Sequence, residues 1–162
     1  MSYRVFTVQE ANRLLPVLEE AFRRIEAARE EAVAHHEQLQ LLDALWGAEV
    51  QEPDNPDHED FRTHRQGLTE AARTVEHTVE EEILERGLRF PAGGLQHGLV
   101  DFPTSYEGRW VYLCWERGES ELEFWHEVDG GYAGRRPITP EQAGAMGRED
   151  DRDALDDSRL DF

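Results

Sequence analysis

The sequence predicts an α+β protein, and three observations carry that prediction. Apolar or small residues recur at alternating steps of three and four from Ala11 to Trp46, and a second stripe of this kind runs from Phe61 to Ile83. After Gly98 the pattern changes to short aromatic runs, and three of the four tryptophans lie between Gly98 and Pro137. The expected architecture is a long antiparallel helical hairpin with a small three-stranded antiparallel β-meander packed at one end.

The first helix has a sequence-encoded start. Thr7 and Glu10 have capping-box spacing, which lets each side chain take a backbone donor of the first turn. Ala11, Leu14, Leu18, Ala21, Ile25, Ala28, Ala32, His35, Leu39, Leu42 and Trp46 form its seam, and Pro16 inside it predicts a kink. Pro53, Asp54, Asn55 and Pro56 make a turn, with Asn55 or Asp57 as the N-cap of the second helix. Phe61, Leu68, Ala72, Val75, Val79 and Ile83 stripe that helix, and Gly87 is placed to end it.

Leu99–Phe102, Trp110–Trp115 and Glu121–His126 have strand composition, joined at Glu107-Gly108 and Arg117-Gly118. If Trp115 pairs with Glu121, then Tyr112, Cys114, Leu122, Phe124 and His126 share one face, expected to pack on the helices. Val111, Leu113, Trp115 and Trp125 share the other, which is too apolar for water and predicts a homodimer or a protein partner. Residues 1–140 are expected to form a single domain, with the hairpin over 7–87 and the meander and glycine loop over 98–137. The stretch 141–162, with eight Asp/Glu against three Arg, is expected to be a disordered acidic tail.

Composition narrows the function. Seventeen basic residues, all of them Arg, face 36 acidic ones, for a net charge of −19. Such a chain repels phosphate backbones and anionic membranes, so neither nucleic acid nor membrane is an expected partner. The first ten residues lack a signal-peptide pattern, and Cys114, the single cysteine, has no disulfide partner within the chain; the expected location is cytoplasmic. No nucleophile elbow, Walker loop or Cys-x-x-Cys occurs, and enzymatic activity is left open.

The residues with chemistry cluster late in the chain. His126 ends an apolar strand and is followed by Glu127, Asp101 sits inside an apolar strand, and Glu81 belongs to the acidic run that closes the second helix. Imidazole and carboxylates together are the ligand set that Zn, Mn or Fe accept, so Asp101, His126, Glu127 and Glu81 are the candidate metal ligands. Beyond them, Gly130, Gly131 and Gly134 form a glycine loop that carries Arg135 and Arg136, with Asp129 just before it. Two guanidinium groups there suit a carboxylate or phosphate, making Arg135, Arg136 and Asp129 candidate ligand-binding residues. A blander alternative has these arginines neutralise nearby Glu. Cys114, between Leu113 and Trp115, reads as a buried, inert thiol.

The segments Phe-Thr-Val-Gln-Glu-Ala-Asn-Arg-Leu-Leu-Pro at 6–16, Gly-Leu-Val-Asp-Phe-Pro at 98–103, Tyr-Leu-Cys-Trp-Glu-Arg-Gly-Glu at 112–119 and Trp-His-Glu-Val-Asp-Gly-Gly-Tyr-Ala-Gly-Arg-Arg-Pro at 125–137 resemble a bacterial family known as domain of unknown function 2203. The resemblance extends to about residue 138 and confers no activity. It implies that Asp101, Glu119, His126, Asp129, Gly134 and Arg135 belong to the family pattern, with the acidic tail outside it. Two functions of different class follow: a metal- or small-anion-binding protein built on the His/carboxylate cluster, and a dimeric interaction module without catalysis.

Overall fold

The computed structural model describes residues 3–160. The described residues form two compact units: residues 20–80, and the residues up to Glu19 together with those from Glu81 onward. Among the described residues no helix is long and apolar enough to cross a membrane.

Helix α1, Val8–Trp46, runs through both units and is continuous across Pro16. Its head shows the Thr7 half of the expected capping box, with the Glu10 N–H donating to Thr7 Oγ1 at 3.1 Å, while the Glu10 carboxylate lies 3.8 Å from Arg4. Helix α2, His58–Val79, follows a turn in which Asn55 Oδ1 accepts from the Asp57 N–H at 2.9 Å. Asp57 is the N-cap by position, but its carboxylate instead takes the Trp46 indole N–H at 2.7 Å, tying the end of α1 to the start of α2. Further along this hairpin, His35 and His64 bring their Nδ1 atoms to 3.0 Å, and a Cβ on Gly67 would stand 2.2 Å from the His35 ring. Glycine at 67 is therefore what lets the imidazole lie against the α2 backbone. The acidic run after α2 is a π-helical turn, Glu80–Leu84, and Gly87, at φ +82, closes it as expected.

The sheet has four strands, not three, in the order β1-β2-β3-β4: Leu99–Tyr106, Arg109–Glu116, Phe124–Glu127 and Arg136–Pro137, all antiparallel. β4 escapes sequence reading because two residues, one of them proline, carry no alternation. A short helix, α3 (Gly94–His97), leads into β1. β1 continues through Pro103 because the proline lies on the outer side of an edge strand. Asp101 N–H and C=O both point outward, to Arg89, and two residues on the Pro103 carbonyl also points outward, accepting from Phe6 N–H at 2.9 Å. The donor that proline lacks would have faced away from β2. Glu107 and Gly108, at φ +50 and +73, make the β1–β2 turn, the left-handed pair that a two-residue hairpin demands.

The register of β3 differs from expectation by two residues: Cys114 lies opposite Phe124 and Tyr112 opposite His126. Since side chains alternate with period two, a shift of two leaves every residue on its expected face. What differs is which face meets Phe6, just before α1. Phe6, at the head of α1, meets Phe102 edge to face at 5.5 Å, and Thr104 Oγ1 donates to Phe6 C=O at 2.6 Å. Phe102 shares its face with Leu113 and Trp125, so the tryptophan face is the one on the core, and Val111, Leu113, Trp115 and Trp125 are all buried. The opposite face is covered by Arg89, Arg135 and the glycine loop.

The described residues from 140 onward begin with a short helix and contacts to the sheet. Helix α4, Pro140–Ala145, has a full capping box between Thr139 and Gln142. Met146 is buried, Gly147 N–H donates to Ser105 C=O at 3.0 Å, and Trp110 Nε1 donates to Asp157 at 3.0 Å. Gly147 is required there, because a Cβ would fall 2.5 Å from the Phe6 carbonyl oxygen.

Candidate functional site

Sheet register brings three chemically active side chains together. Asp101 of β1 lies directly opposite Cys114 of β2, and His126 of β3 is on the same face, diagonal to Cys114. Asp101 Oδ1 and His126 Nε2 are 2.9 Å apart, and one ligand atom from each of Asp101, Cys114 and His126 lies within 4.8 Å of the others. All three residues are 0% exposed.

Each group is held from behind. His126 Nδ1 stands 2.7 Å from the Glu127 carbonyl oxygen, which can only accept, so Nδ1 carries a hydrogen and donates it. Nε2, across the ring, meets Asp101 Oδ1, and a hydrogen bond between them needs one further proton. The other Asp101 oxygen takes two hydrogen bonds from Arg89, from Nε at 3.2 Å and Nη2 at 3.1 Å. Arg89 is anchored in turn: its backbone N–H and C=O pair with Asp101, and its guanidinium lies 4.0 Å from the Tyr112 ring centroid. The Cys114 thiol is pushed up to about 12, first by burial and then by the nearby Asp101 charge, with Arg135 opposing. It is a neutral thiol at physiological pH and not a nucleophile.

The other predicted site residues divide. Glu127 follows His126 in a strand and so points to the opposite face, where Arg109 binds its carboxylate at 2.6 and 3.0 Å. Those hydrogen bonds hold the Glu127 carboxyl below its ordinary range against a smaller opposing effect of burial. Only its backbone carbonyl belongs to the cluster. Glu81 is exposed on the π-helical turn and is not in the cluster. Arg135 is nearly buried, clamped bidentately by Glu119 at 2.7 and 2.8 Å, donating to Cys114 C=O at 3.1 Å and lying 4.1 Å from the Phe124 ring centroid. It neutralises Glu119 and roofs the face beside Cys114. Arg136 is exposed over the Trp125 ring, and Asp129 is exposed in the loop.

Two participants escape sequence reasoning. Cys114 reads as inert because no cation near it in sequence lowers its pKa; that it faces Asp101 across a ladder is a long-range fact. Arg89 lies in a connection that lacks periodicity, but a signal existed: a carboxylate in an apolar strand demands a cation, and Arg89, twelve positions earlier, is the first arginine upstream of it.

Residues 4–138 match the domain of unknown function 2203 family, described as an uncharacterized conserved protein, and the chain belongs to that family. The match takes in every member of the cluster and Arg89, and ends before α4. No curated protein and no solved structure matches the chain.

Proposed function

We propose that this member of the domain of unknown function 2203 family binds one divalent transition metal through Asp101, Cys114 and His126. The observation that carries the reading is the convergence of Oδ1, Sγ and Nε2 within 4.8 Å while the far side of the carboxylate and of the imidazole is already hydrogen-bonded. Ligating histidines and carboxylates are oriented by outer partners of this kind, here the Glu127 carbonyl and Arg89. A thiolate in the set favours Zn or Fe over Mn. A metal would replace the proton between Asp101 and His126 and the proton on the thiol, so binding strengthens as pH rises.

Metal analysis of chain purified without added metal tests this. Stoichiometric Zn or Fe that disappears in His126→Ala and Cys114→Ala, and is retained in Glu127→Gln, is the expected result. A folded wild-type chain that carries no metal and takes up neither Zn nor Fe on titration overturns it.

An interaction module is the second reading. The tryptophan face that first suggested it is buried, and the observation that now favours it is the pair Leu41 and Leu45, one turn apart on α1 and each more than 60% exposed. Sedimentation of Leu41→Glu tests it, with loss of a dimer expected and an unchanged monomer overturning it.

A further inference from the structure

The chain is so acidic that most of its arginines with described partners are held by carboxylates, as in Arg86–Glu82, Arg89–Asp101, Arg109–Glu127, Arg117–Glu19 and Arg135–Glu119. The outward face of α2 is different. His58, Arg62, Arg65, Thr69 and Arg73 recur at steps of four, three, four and four, which places them on one stripe of the helix. They line a hollow of about 470 Å³. Arg62 meets Glu59 at 3.4 Å with both side chains well in water, a weak pair. Arg65 and Arg73 make no ion pair among the described residues; Arg65 lies 5.9 Å from the Phe61 ring centroid. Glu70 also borders the hollow, where its carboxylate accepts from Gln66 at 3.1 Å.

The donors are spaced for a ligand with more than one anionic group. Arg62 and Arg65 are separated by roughly 4.5 Å along the helix axis, and Arg73 lies roughly 12 Å beyond Arg65. His58 turns Nδ1 inward to the Val50 carbonyl at 3.0 Å, which leaves Nε2 outward. Guanidinium groups at this spacing suit phosphates, and among the described residues Arg65 and Arg73 have no carboxylate partner, while Arg62 has only its weak, exposed pair with Glu59. The overall charge of −19 selects size: a long polyanion feels the repulsion of the whole molecule, and a short one feels mainly the local stripe.

We infer that the Arg62/Arg65/Arg73 stripe is a binding site for a small compound carrying two or more phosphate groups. It uses none of the residues of the metal reading and stands or falls separately. Calorimetric titration of the full chain with inorganic tripolyphosphate at low salt should give saturable one-to-one binding that weakens with added salt. Arg65→Gln and Arg73→Gln should each weaken it roughly tenfold, and Arg148→Gln, outside the stripe, should leave it unchanged. Circular dichroism checks that the variants keep their helices, which they should because both side chains are exposed. Absence of saturable binding, equal weakening by Arg148→Gln, or binding of long single-stranded DNA without binding of tripolyphosphate overturns the inference.

Discussion

On one face of the sheet Phe102, Leu113, Trp115 and Trp125 are sealed by apolar packing under Phe6; on the other, Asp101, Cys114 and His126 are as deeply buried beneath Arg89 and Arg135. The two faces reach the same dryness by opposite means. Apolar packing is non-directional, and its stabilisation scales with the area removed from water. The polar face holds only while each charged group keeps its partner, since an orphaned charge there has no water to fall back on. The second face alone brings a carboxylate, a thiol and an imidazole together in the interior, whereas the Glu127 carboxylate of the first face sits at its part-exposed rim, paired with Arg109. Substitutions at either face test this contrast.

Trp115→Ala should be the most damaging substitution. It removes the largest fully buried side chain and the indole hydrogen bond to the Glu119 carbonyl at 2.8 Å. The expected loss is about 4–5 kcal/mol in urea unfolding, from cavity formation and an orphaned acceptor together. A loss under about 2 kcal/mol would mean that the face collapses around the gap and is less tightly packed than described.

How much of this contrast is legible in the sequence follows from the range over which each signal acts. The seam of the first helix, the Thr7 cap and the Gly87 stop are local, and they hold, whereas the stripe of the second helix is off by one at its middle, where Ala71 is buried and the expected Ala72 is exposed. The strand faces also hold although the β3 register is off by two, because parity decides a face and survives an even shift. Parity also excludes the Glu127 side chain from the cluster: a residue next to His126 in a strand must face the other way. Three things are not legible. The pairing of Asp101 with Cys114 depends on a ladder register, that with Arg89 on an irregular segment's path, and the placement of the acidic C-terminal stretch on contacts such as Trp110–Asp157, 47 positions apart.

Asp101→Leu comes next. Leucine repeats the branching of aspartate with bulkier, uncharged ends, so it removes the charge and adds volume. Here it strands Arg89 and His126, and about 3–4 kcal/mol should be lost. Adding Arg89→Met should recover part of that loss, since replacing a buried ion pair by apolar groups is far less costly than halving it. If Asp101→Leu alone proves neutral in urea unfolding, the two faces do not differ in kind. Asp101→Leu also removes a proposed metal ligand, so a chain whose stability recovers in the double variant without regaining metal separates the structural role of Asp101 from the ligand role.

The smallest effect is at the rim of the tryptophan face, where Arg109 and Glu127 pair at 2.6 Å with both side chains about a third exposed. Water screens this pair, and Glu127→Gln should cost under about 1 kcal/mol near neutral pH. Its pH dependence has a definite sign. The folded Glu127 carboxyl lies below its ordinary value of 4.5, chiefly through the Arg109 hydrogen bonds, so the unfolded chain takes up the proton first as pH falls. The stability the pair supplies is therefore complete above pH 4.5 and drains away as acid carries the group through its folded pKa. Unfolding free energies of wild type and Glu127→Gln should differ by a constant amount near neutrality and converge on acidification. A difference that persists unchanged into strong acid would assign the loss to packing of the side chain, and the rim would then belong with the apolar face it borders.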